Sequence, residues 1–216
     1  MKLAIFDLDE TLIAGDSASL WLEYLVARKL VPADILAQEQ SLMAAYYQGV
    51  LDMDAYMALT LAPIRYWSAA HLTPLIEDFV RHNILPLVYS DAQARLNWHL
   101  TQGHTVVIIS ATGEHLVKPI AHALGVEHAI GIMLDHNNGI YTGLTTGVHS
   151  YQEGKLTRLQ QWLQQQDATP SISYGYSDSL NDLPLLEYVD RAAVVNGDNN
   201  LYRLGLERGW ELLTWR

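Results

Sequence analysis

The stretch KLAIFDLDETL at residues 2–12 decides the fold of this chain. Residues 4–6 show no alternation of polar and apolar side chains, so a strand covered on both faces is predicted, as in a parallel sheet. Because side chains two residues apart on a strand point to the same side, Asp7 and Asp9 are expected to lie together at its carboxyl end. Neighbouring buried carboxylates repel each other unless a cation or a shared proton lies between them. The motif favours a metal-assisted active site, and the alternative is a turn that caps the next helix.

The chain has 216 residues, of which 50% are hydrophobic and 17% charged, so it is long enough for one large domain or a domain carrying a smaller insertion. Its 13 basic and 24 acidic residues give a net charge of −11. Such a balance lacks the basic stripe of a nucleic-acid-binding surface, which argues against nucleic acid as a partner. It also disfavours anionic substrates unless local cations and hydrogen-bond donors hold them.

Cysteine is absent, which excludes disulfides, thiolate catalysis and zinc–cysteine sites. The first residues contain one lysine and a short apolar run that Asp7 interrupts, and this is not the pattern of a signal peptide. No apolar segment approaches the roughly 18 residues that a membrane-spanning helix needs. We therefore expect a soluble cytoplasmic protein, with neither a membrane nor a protein partner implied.

The pattern of the chain changes near residue 87. Residues 15–86 contain only helical patterns, separated by prolines and a glycine, whereas the following residues alternate between helices and short apolar strands. We predict an α/β fold in which helices sandwich a Rossmann-like parallel sheet, with an all-helical cap domain inserted after the first strand. The predicted core comprises residues 1–14 and 87–216, and the predicted cap comprises residues 15–86.

Periodicity and helix breakers place the individual elements. Helices are expected at about residues 33–48, 53–61, 69–82, 92–102, 113–124 and 153–166. Strands are expected at about residues 105–109, 130–133, 171–174 and 192–195. Asp16-Ser17 is predicted to cap the first helix of the insertion. Residues 135–143 have the composition of a hairpin and are predicted to form a loop or a small antiparallel excursion.

Two further motifs place a hydroxyl and a cation beside helix starts. Ser110 follows the strand 105–109, and the small residues after it are expected to open a helix whose free N–H groups would cradle a phosphate. The alternative is that Ser110 only caps this helix. Lys155 lies in the first turn of the helix 153–166, where a cation opposes the helix dipole, so it is a candidate for function. The alternative is a lysine that extends into solvent.

The last motif places two acids after the strand 171–174. Asp178 is positioned to reach a cation shared with Asp7, while Asn181 or Asp182 would orient the ligands of that cation. The alternative is that Asp178 caps a helix. Because ligands of parallel α/β sheets bind beyond the carboxyl ends of the strands, all these motifs are expected at one edge of the sheet.

Taken in order, the four motifs resemble those of the haloacid dehalogenase superfamily of phosphohydrolases, and the resemblance covers almost the whole chain. The matching residues are Asp7-Leu8-Asp9-Glu10-Thr11, Ser110, Lys155, and Asp178 with Asp182. The helical insertion between the first two motifs, together with the stretch NGIYTG at residues 138–143, is typical of the phosphoserine-phosphatase-like branch of that superfamily.

The resemblance implies a phosphomonoesterase that acts on a small phosphorylated metabolite through an aspartyl-phosphate. It implies that Asp7 is the nucleophile and that Asp9 protonates the leaving alcohol and then activates water. It also implies a Mg²⁺ held by the Asp7 carboxylate, the Asp9 main-chain carbonyl and Asp178. Ser110 and Lys155 would hold the transferring oxygens. The residues expected to support these groups are Thr11, Asn181 and Asp182.

Departures from the family pattern bear on the substrate. Where phosphoserine phosphatases carry a glutamate that holds the substrate amine, Asp16 stands here, and Ser110-Ala111-Thr112 replaces their usual Ser-Gly-Gly. The stretch Gly15-Asp16-Ser17 resembles a sister group that includes histidinol-phosphate phosphatases. Asp16 would pair with a substrate ammonium or simply cap the first helix. Further candidates for substrate contact are Ala111, Thr112 and Arg65, the last of which has a solvated surface arginine as its alternative.

Three other functions share parts of this pattern. A phosphotransferase would pass the phosphoryl group from Asp7 to an alcohol instead of water, and the motifs do not separate the two activities. A non-catalytic relative would only bind phosphorylated ligands. A receiver-type signalling domain also places acids, a hydroxyl and a lysine at the ends of a parallel sheet. It lacks a long helical insertion, however, and needs no acid in the place of Asp9.

Overall fold

A computed structural model describes residues 1–46 and 48–216. The strands in the described residues are β1 (Lys2–Phe6), β2 (Thr105–Gly113), β3 (His128–Ile132), β4 (Leu134–Asn137), β5 (Ile140–Thr145), β6 (Ile172–Ser177), β7 (Arg191–Val195) and β8 (Glu211–Leu213). Six of them form one sheet in the order β3-β2-β1-β6-β7-β8, and every neighbouring pair in it is parallel. The other two, β4 and β5, form a separate antiparallel hairpin.

The α-helices in the same residues are α1 (Ser17–Ala27), α2 (Asp34–Tyr46), α3 (Met53–Leu61), α4 (Ala69–Phe79), α5 (Ser90–Thr101), α6 (Glu114–Ala123), α7 (Glu153–Gln165), α8 (Leu183–Tyr188) and α9 (Asn199–Arg208). Short helical turns follow α3 and α4 and precede α8. Among the residues that the structure describes, no helix has the length and apolar character that crossing a membrane requires.

The main sheet is buried on both faces. Alternate residues of β1 enter two separate apolar clusters, with Leu3 and Ile5 in one and Ala4 and Phe6 in the other, and all four side chains are completely buried. Leu159 of α7 belongs to the first cluster, whereas the second extends into the helical insertion. Since successive side chains of a strand point to opposite faces, helices must cover both sides of the sheet.

Helices α1–α4 form the insertion that the sequence predicted after the first strand. They lie between β1 and α5 in the chain, and Trp21 of α1 packs in the same apolar cluster as Leu116 of α6. The predicted fold class, a parallel sheet between helices with a helical insertion, is therefore confirmed. The division into a core of residues 1–14 and 87–216 and a cap of residues 15–86 stays a prediction.

Strand β2 extends beyond its predicted end, whereas the helix predicted from about residue 113 begins where it was expected. Strand β2 was expected over residues 105–109, but it continues to Gly113, and α6 begins at Glu114. The pairing of β2 with β3 shifts register between Ile109 and Gly113 and then resumes. Because hydrogen bonding to β3 continues past this irregularity, Ser110 lies inside a strand and not at a helix N-terminus.

Smaller differences occur in the surrounding elements. Helix α4 ends at Phe79, and a wider helical turn, Val80–Ile84, replaces its predicted last residues. The hairpin confirms the antiparallel excursion predicted at residues 135–143. Its turn residues Asn138 and Gly139 have φ values of 50° and 76°, as two-residue hairpin turns require. Strand β8 and helix α9 occupy a part of the chain for which no separate elements were predicted.

A buried polar network lies beside the central strands. The hydroxyl of Tyr176 is 2.9 Å from Nε2 of His99 and accepts a hydrogen bond of 3.1 Å from Arg95. Nδ1 of His99 lies 2.8 Å from Nδ1 of His104. Burial lowers the pKa of His99 to about 3, so the ring is neutral at pH 7. The ring of Tyr176 stacks on Phe6 with the centroids 4.4 Å apart, which ties this network to β1.

Tyr176→Phe is expected to lower the free energy of unfolding by about 1–3 kcal/mol, because Nε2 of the buried His99 loses its hydrogen-bond partner. Urea unfolding at pH 7.5 measures the change. Tyr202→Phe is the matched control, since Tyr202 is 50% exposed and its replacement should change stability by no more than about 0.5 kcal/mol. Equal effects of the two substitutions would show that the network contributes nothing to stability.

Candidate active site

The predicted polar residues meet at one edge of the sheet. Asp7 follows β1, Ser110 lies in the neighbouring strand β2, and Asp178 follows β6 on the other side of β1. Lys155 lies in the first turn of α7. This edge is formed by the carboxyl ends of the parallel strands, where ligands of α/β proteins bind. The four motifs, which are far apart in the sequence, therefore form one site.

Lys155 joins two buried acids at this edge. Its Nζ lies 2.7 Å from Oδ1 of Asp7 and 2.6 Å from Oδ2 of Asp182. The side chain of Lys155 is only 3% exposed, so the alternative of a lysine that extends into solvent is wrong. The hydroxyl of Ser177 donates a hydrogen bond of 2.7 Å to the same oxygen of Asp182. These contacts hold the ammonium group beside Asp7 at a position set by the fold.

Asp9 is surrounded by hydrogen-bond donors. The N–H of Ser17, at the start of α1, donates to Oδ1 at 2.7 Å. The hydroxyls of Ser110 and Thr112, both in β2, donate to Oδ2 at 2.9 Å and 3.1 Å. The N–H of Thr112 also donates to Oγ of Ser110 at 3.0 Å. The carboxyl group of Asp9 is therefore held from two directions, by the insertion and by the sheet.

Thr11 orients Asp178. Its hydroxyl donates a hydrogen bond of 2.8 Å to Oδ1 of Asp178, and the N–H of Asp178 donates back to the same hydroxyl at 3.0 Å. Thr11 is completely buried and Asp178 partly buried. The contacts give Thr11 the supporting position that the sequence suggested for it.

Asn181 contacts the helical insertion. Its Oδ1 accepts a hydrogen bond of 3.1 Å from Gln152, and its Nδ2 donates to the carbonyl of Tyr46 at 3.4 Å. Gln152 also donates to the carbonyl of Gly49 at 3.2 Å. Asn181 and Gln152 thus join the loops of the α/β part to the end of α2. Among the described contacts, these place Asn181 at the insertion and not at the acids.

The acids of the site repel one another. Burial raises the pKa of Asp7 to about 7, although Lys155 lowers it. Burial, with repulsion from Asp16, raises the pKa of Asp9 to about 6. Burial, with repulsion from Asp7, holds the pKa of Asp178 well above its usual range. One lysine therefore does not supply enough positive charge for these carboxylates.

The shortage of positive charge fits a divalent cation. Among residues 1–46 and 48–216, no three His, Cys, Asp or Glu side chains form a group that would hold a metal by themselves. The set implied by the family resemblance contains only two carboxylates, those of Asp7 and Asp178, together with the main-chain carbonyl of Asp9. Mg²⁺ takes oxygen ligands, keeps several waters and is often bound through one or two carboxylates, so this oxygen-only set suits it.

A cavity of about 20 Å³ lies at these acids. The predicted residues that line it are Asp7, Asp9, Asp16, Ser110, Ala111 and Thr112. The insertion closes it with Met43, Tyr46, Met53 and Tyr56. This volume holds one or two water molecules and is too small for a phosphate ester.

Asp16 both caps a helix and lines the cavity. It is the N-cap residue of α1, as predicted, and its side chain accepts a hydrogen bond of 2.8 Å from the N–H of Ser19. The hydroxyl of Ser19 donates to Glu39 at 2.5 Å. Burial, with repulsion from Glu39, raises the pKa of Asp16, and burial also raises the pKa of Glu39. A cation brought by a ligand would relieve this repulsion.

Arg65 does not line the cavity. Its guanidinium lies 4.8 Å from the ring centroid of Tyr66. A side chain at Gly143 of the hairpin would meet its methylene groups at 3.1 Å. Arg65 is also exposed to solvent, which agrees with the alternative of a solvated arginine.

Three serines of the site were missed by the sequence reasoning. Ser17 presents its N–H to Asp9, Ser177 donates to Asp182, and Ser150 donates a hydrogen bond of 2.6 Å to the carbonyl of Ser110. Ser177 directly precedes Asp178 at a strand end, and this position is a usable signal. Ser17 donates through its main-chain N–H, and Ser150 donates to a main-chain carbonyl, so no pattern of side chains in the sequence predicts either contact.

Comparison with known proteins gives a consistent result. Residues 4–187 match the model of the haloacid dehalogenase-like hydrolase family. A histidinol-phosphatase from Neisseria meningitidis serogroup C is 38% identical to this chain, over 100% of this chain and 99% of the relative. A phosphoserine phosphatase from Mycobacterium tuberculosis is 30% identical, over 99% of this chain and 70% of the relative.

Solved structures share the fold. A protein of unknown function from Bordetella pertussis Tohama I is 34% identical and superimposes with a TM-score of 0.91, over 98% of this chain and 97% of that one. A phosphoserine phosphatase in a form described as a phospho-aspartyl intermediate analogue superimposes with a TM-score of 0.69, over 99% of this chain and 92% of that one. At 15% identity, this second likeness shows the fold alone.

Lys155→Met is expected to lower the free energy of unfolding at pH 8 by about 3–5 kcal/mol, because it leaves Asp7 and Asp182 as buried acids without their cation. The loss should shrink towards pH 5.5. The pKa of Asp7 in the folded protein is already above the ordinary 3.8, and without Lys155 it rises further. A raised acid pKa means that the folded state holds the proton at a higher pH than the unfolded state, so stability falls as the pH rises from 3.8 towards the folded-state pKa and levels off above it.

Chemical denaturation at the two pH values measures this effect. Lys118→Met is the control, because Lys118 is 59% exposed and pairs with Glu114 only at the surface. Its replacement should cost no more than about 1 kcal/mol at either pH. A loss in Lys155→Met that does not change with pH would contradict the proton uptake by Asp7.

Proposed function

This chain belongs to the haloacid dehalogenase-like hydrolases and is a phosphomonoesterase, and we propose that it hydrolyses a small amine-bearing phosphate ester through an aspartyl-phosphate on Asp7, with Mg²⁺ as cofactor. The observation that carries the proposal is the buried pairing of Lys155 with Asp7, at 2.7 Å, beside the hydrogen-bonded Asp9. This arrangement supports a nucleophile and a proton donor that act on one phosphoryl group.

In the first half-reaction, a carboxylate oxygen of Asp7 forms a bond to phosphorus while the bond from phosphorus to the leaving oxygen breaks. Asp9 gives its proton to that oxygen, so the product leaves as a neutral alcohol. Burial raises the pKa of Asp9 to about 6, which keeps a useful fraction of this side chain protonated near neutral pH. The hydrogen bonds to Asp9 keep its carboxyl group in place for this transfer.

In the second half-reaction, Asp9 is the base. It takes a proton from water as the water oxygen forms a bond to phosphorus, and the bond between phosphorus and Asp7 breaks to release phosphate. Asp7 is then regenerated as a carboxylate beside Lys155. Because Asp9 leaves the first step deprotonated, it is in the correct state for the second.

The remaining residues hold the transferring oxygens. When bound, Mg²⁺ supplies positive charge that offsets the phosphoryl oxygens, and Asp7, Asp178 and the carbonyl of Asp9 would hold it. Lys155 supplies a second positive charge from the side of Asp7. The hydroxyl of Ser110, which donates to Asp9 in this structure, would turn to a phosphoryl oxygen when the substrate is bound.

The acids of the insertion support a cationic substrate. Asp16 lines the cavity, Glu39 lies behind it through Ser19, and an ammonium group on the substrate would relieve their repulsion. Two relatives are named histidinol-phosphatase and phosphoserine phosphatase, and the substrates in both names carry an ammonium group. We therefore place histidinol phosphate and phosphoserine-like esters first among the substrates.

Phosphate release from a panel of esters, with and without Mg²⁺, tests the function. The panel contains histidinol phosphate, phosphoserine, phosphocholine and sugar phosphates. Release of free phosphate should require Mg²⁺ and should be lost in Asp7→Asn, by at least about a thousandfold, because an amide is not a nucleophile for phosphorus. Asp7→Asn should still fold, since the raised pKa of Asp7 shows that burying its charge is unfavourable.

Circular dichroism and thermal unfolding establish that the Asp7→Asn protein is folded. Phosphate release by the folded variant at the wild-type rate would remove Asp7 as nucleophile. Phosphate that is recovered only as a new ester when an alcohol is added would instead identify a phosphotransferase. Binding of esters without any release would identify a non-catalytic relative.

Asp16→Asn tests the recognition of the amine. Asparagine is as good an N-cap residue as aspartate, so the fold should be retained. We expect KM for phosphoserine and histidinol phosphate to rise about tenfold, and kcat/KM for glycerol phosphate, which has no amine, to change little by comparison. Equal changes for esters with and without an amine would show that Asp16 has only a capping role.

A further inference from the structure

A second cavity adjoins the first. It has a volume of about 10 Å³, enough for about one water molecule, and Tyr56 and Thr112 line both cavities. Trp21 of α1, Thr60 of α3 and His115 of α6 also line it, and none of the acids does. Because the two cavities share wall residues, the second lies next to the active site, between the insertion and the start of α6.

Three buried polar atoms at this cavity have no hydrogen-bond partner among the described residues. They are Nε1 of Trp21 and both ring nitrogens of His115. Trp21 is only 1% exposed. Buried polar groups in native proteins are nearly always paired, so three unpaired atoms on two side chains that line one cavity require an explanation. A ligand group that enters the cavity would supply the missing partners.

Packing holds both side chains in place. Trp21 packs against Tyr24 and Phe79, with ring centroids 5.3 Å and 5.2 Å away. His115 lies against Gly113, where an added Cβ would come within 2.6 Å of Nδ1, so glycine at this position makes room for the imidazole. These contacts pack both rings closely at the second cavity.

The hydrogen-bonding capacity of the pair selects the ligand. Burial lowers the pKa of His115 to about 3, so the imidazole is neutral and has one donor and one acceptor nitrogen. Trp21 adds a second donor. An ammonium group has no acceptor for these donors, and a carboxylate has no donor for the acceptor nitrogen. A neutral azole or a carboxamide offers both in one planar group.

We propose that the cavity of Trp21, Tyr56, Thr60, Thr112 and His115 is the subsite for the far end of the leaving alcohol, and that it takes a neutral group that both accepts and donates hydrogen bonds, such as an azole or a carboxamide. This inference rests on the proposed function and narrows its substrate class. The phosphoryl group lies at Asp7, the ammonium at Asp16, and the planar polar group beyond Thr112.

Space for such a substrate arises when the insertion moves. Neither cavity holds more than one or two water molecules in this arrangement, so both must widen when an ester binds. Tyr56 belongs to α3 of the insertion and lines both cavities, so one outward movement of α3 widens them together.

Paired esters test the subsite. Histidinol phosphate carries a neutral azole beyond its amine, and phosphoethanolamine has the same ammonium and phosphate without the azole. The measured quantity is the ratio of kcat/KM for the first ester to that for the second. In Trp21→Phe and in His115→Phe, which retain an aromatic ring but lose the nitrogens, this ratio should fall about tenfold or more.

Two further variants sharpen this test. Trp98→Phe is the matched control, because Trp98 is exposed and distant from the cavity, and its ratio should stay at the wild-type value. His115→Gln restores a donor and an acceptor and should recover part of the selectivity. A ratio that is unchanged in both Trp21→Phe and His115→Phe would overturn the proposal.

A measurement without turnover separates this proposal from the proposed function. Histidinol, the dephosphorylated alcohol, is added to the wild-type protein while the ¹⁵N resonances of the His115 ring are followed by NMR. Shifts that saturate with histidinol and are absent with ethanolamine support the subsite, even if no ester is hydrolysed. Unshifted ring resonances would show that the cavity holds water only, and this would overturn the proposal whatever the hydrolytic activity.

Discussion

The structure depends on one buried cation placed between two buried acids. Lys155 reaches Asp7 and Asp182 at once, and in doing so it joins the first strand, the helix α7 and the loop after β6. Each acid alone would be costly to bury, and so would the lysine. Their mutual contact therefore constrains how α7 and the β6 loop sit against β1, and this constraint positions the carboxylates for chemistry.

The helical insertion contributes to the chemistry as well as covering it. Ser17, the first residue of α1, donates a main-chain hydrogen bond to Asp9, while β2 provides the two hydroxyl donors on the other side. The proton donor of the proposed reaction is thus oriented only when insertion and sheet are together. The same closed arrangement leaves almost no free volume over Asp7. Opening the cavity to substrate would separate the insertion from the sheet. Orienting Asp9 requires the two to be in contact.

The sequence predicted the fold class, and it predicted that the polar motifs lie at one edge of the sheet, because these depend on periodicity and on the positions of strand ends. Asp7 and Asp178 follow strands, and Lys155 lies in a first turn, as their motifs indicated. The extent of β2 past Ser110 was not predictable, since it depends on pairing with β3 and not on the local residues. Nor was the contact of Asn181 with the insertion, which depends on where a distant helix ends.

The contacts between the insertion and the loops of the α/β part have an evolutionary consequence. Asn181 and Gln152 donate hydrogen bonds to main-chain carbonyls of the insertion, those of Tyr46 and Gly49. Every amino acid carries a carbonyl, so these contacts survive substitution of the residues they reach. The side chains over the cavity can therefore diversify while the insertion keeps the same position against the sheet. In such a design, new substrate preferences arise by point substitution without rebuilding the machinery that cleaves the ester.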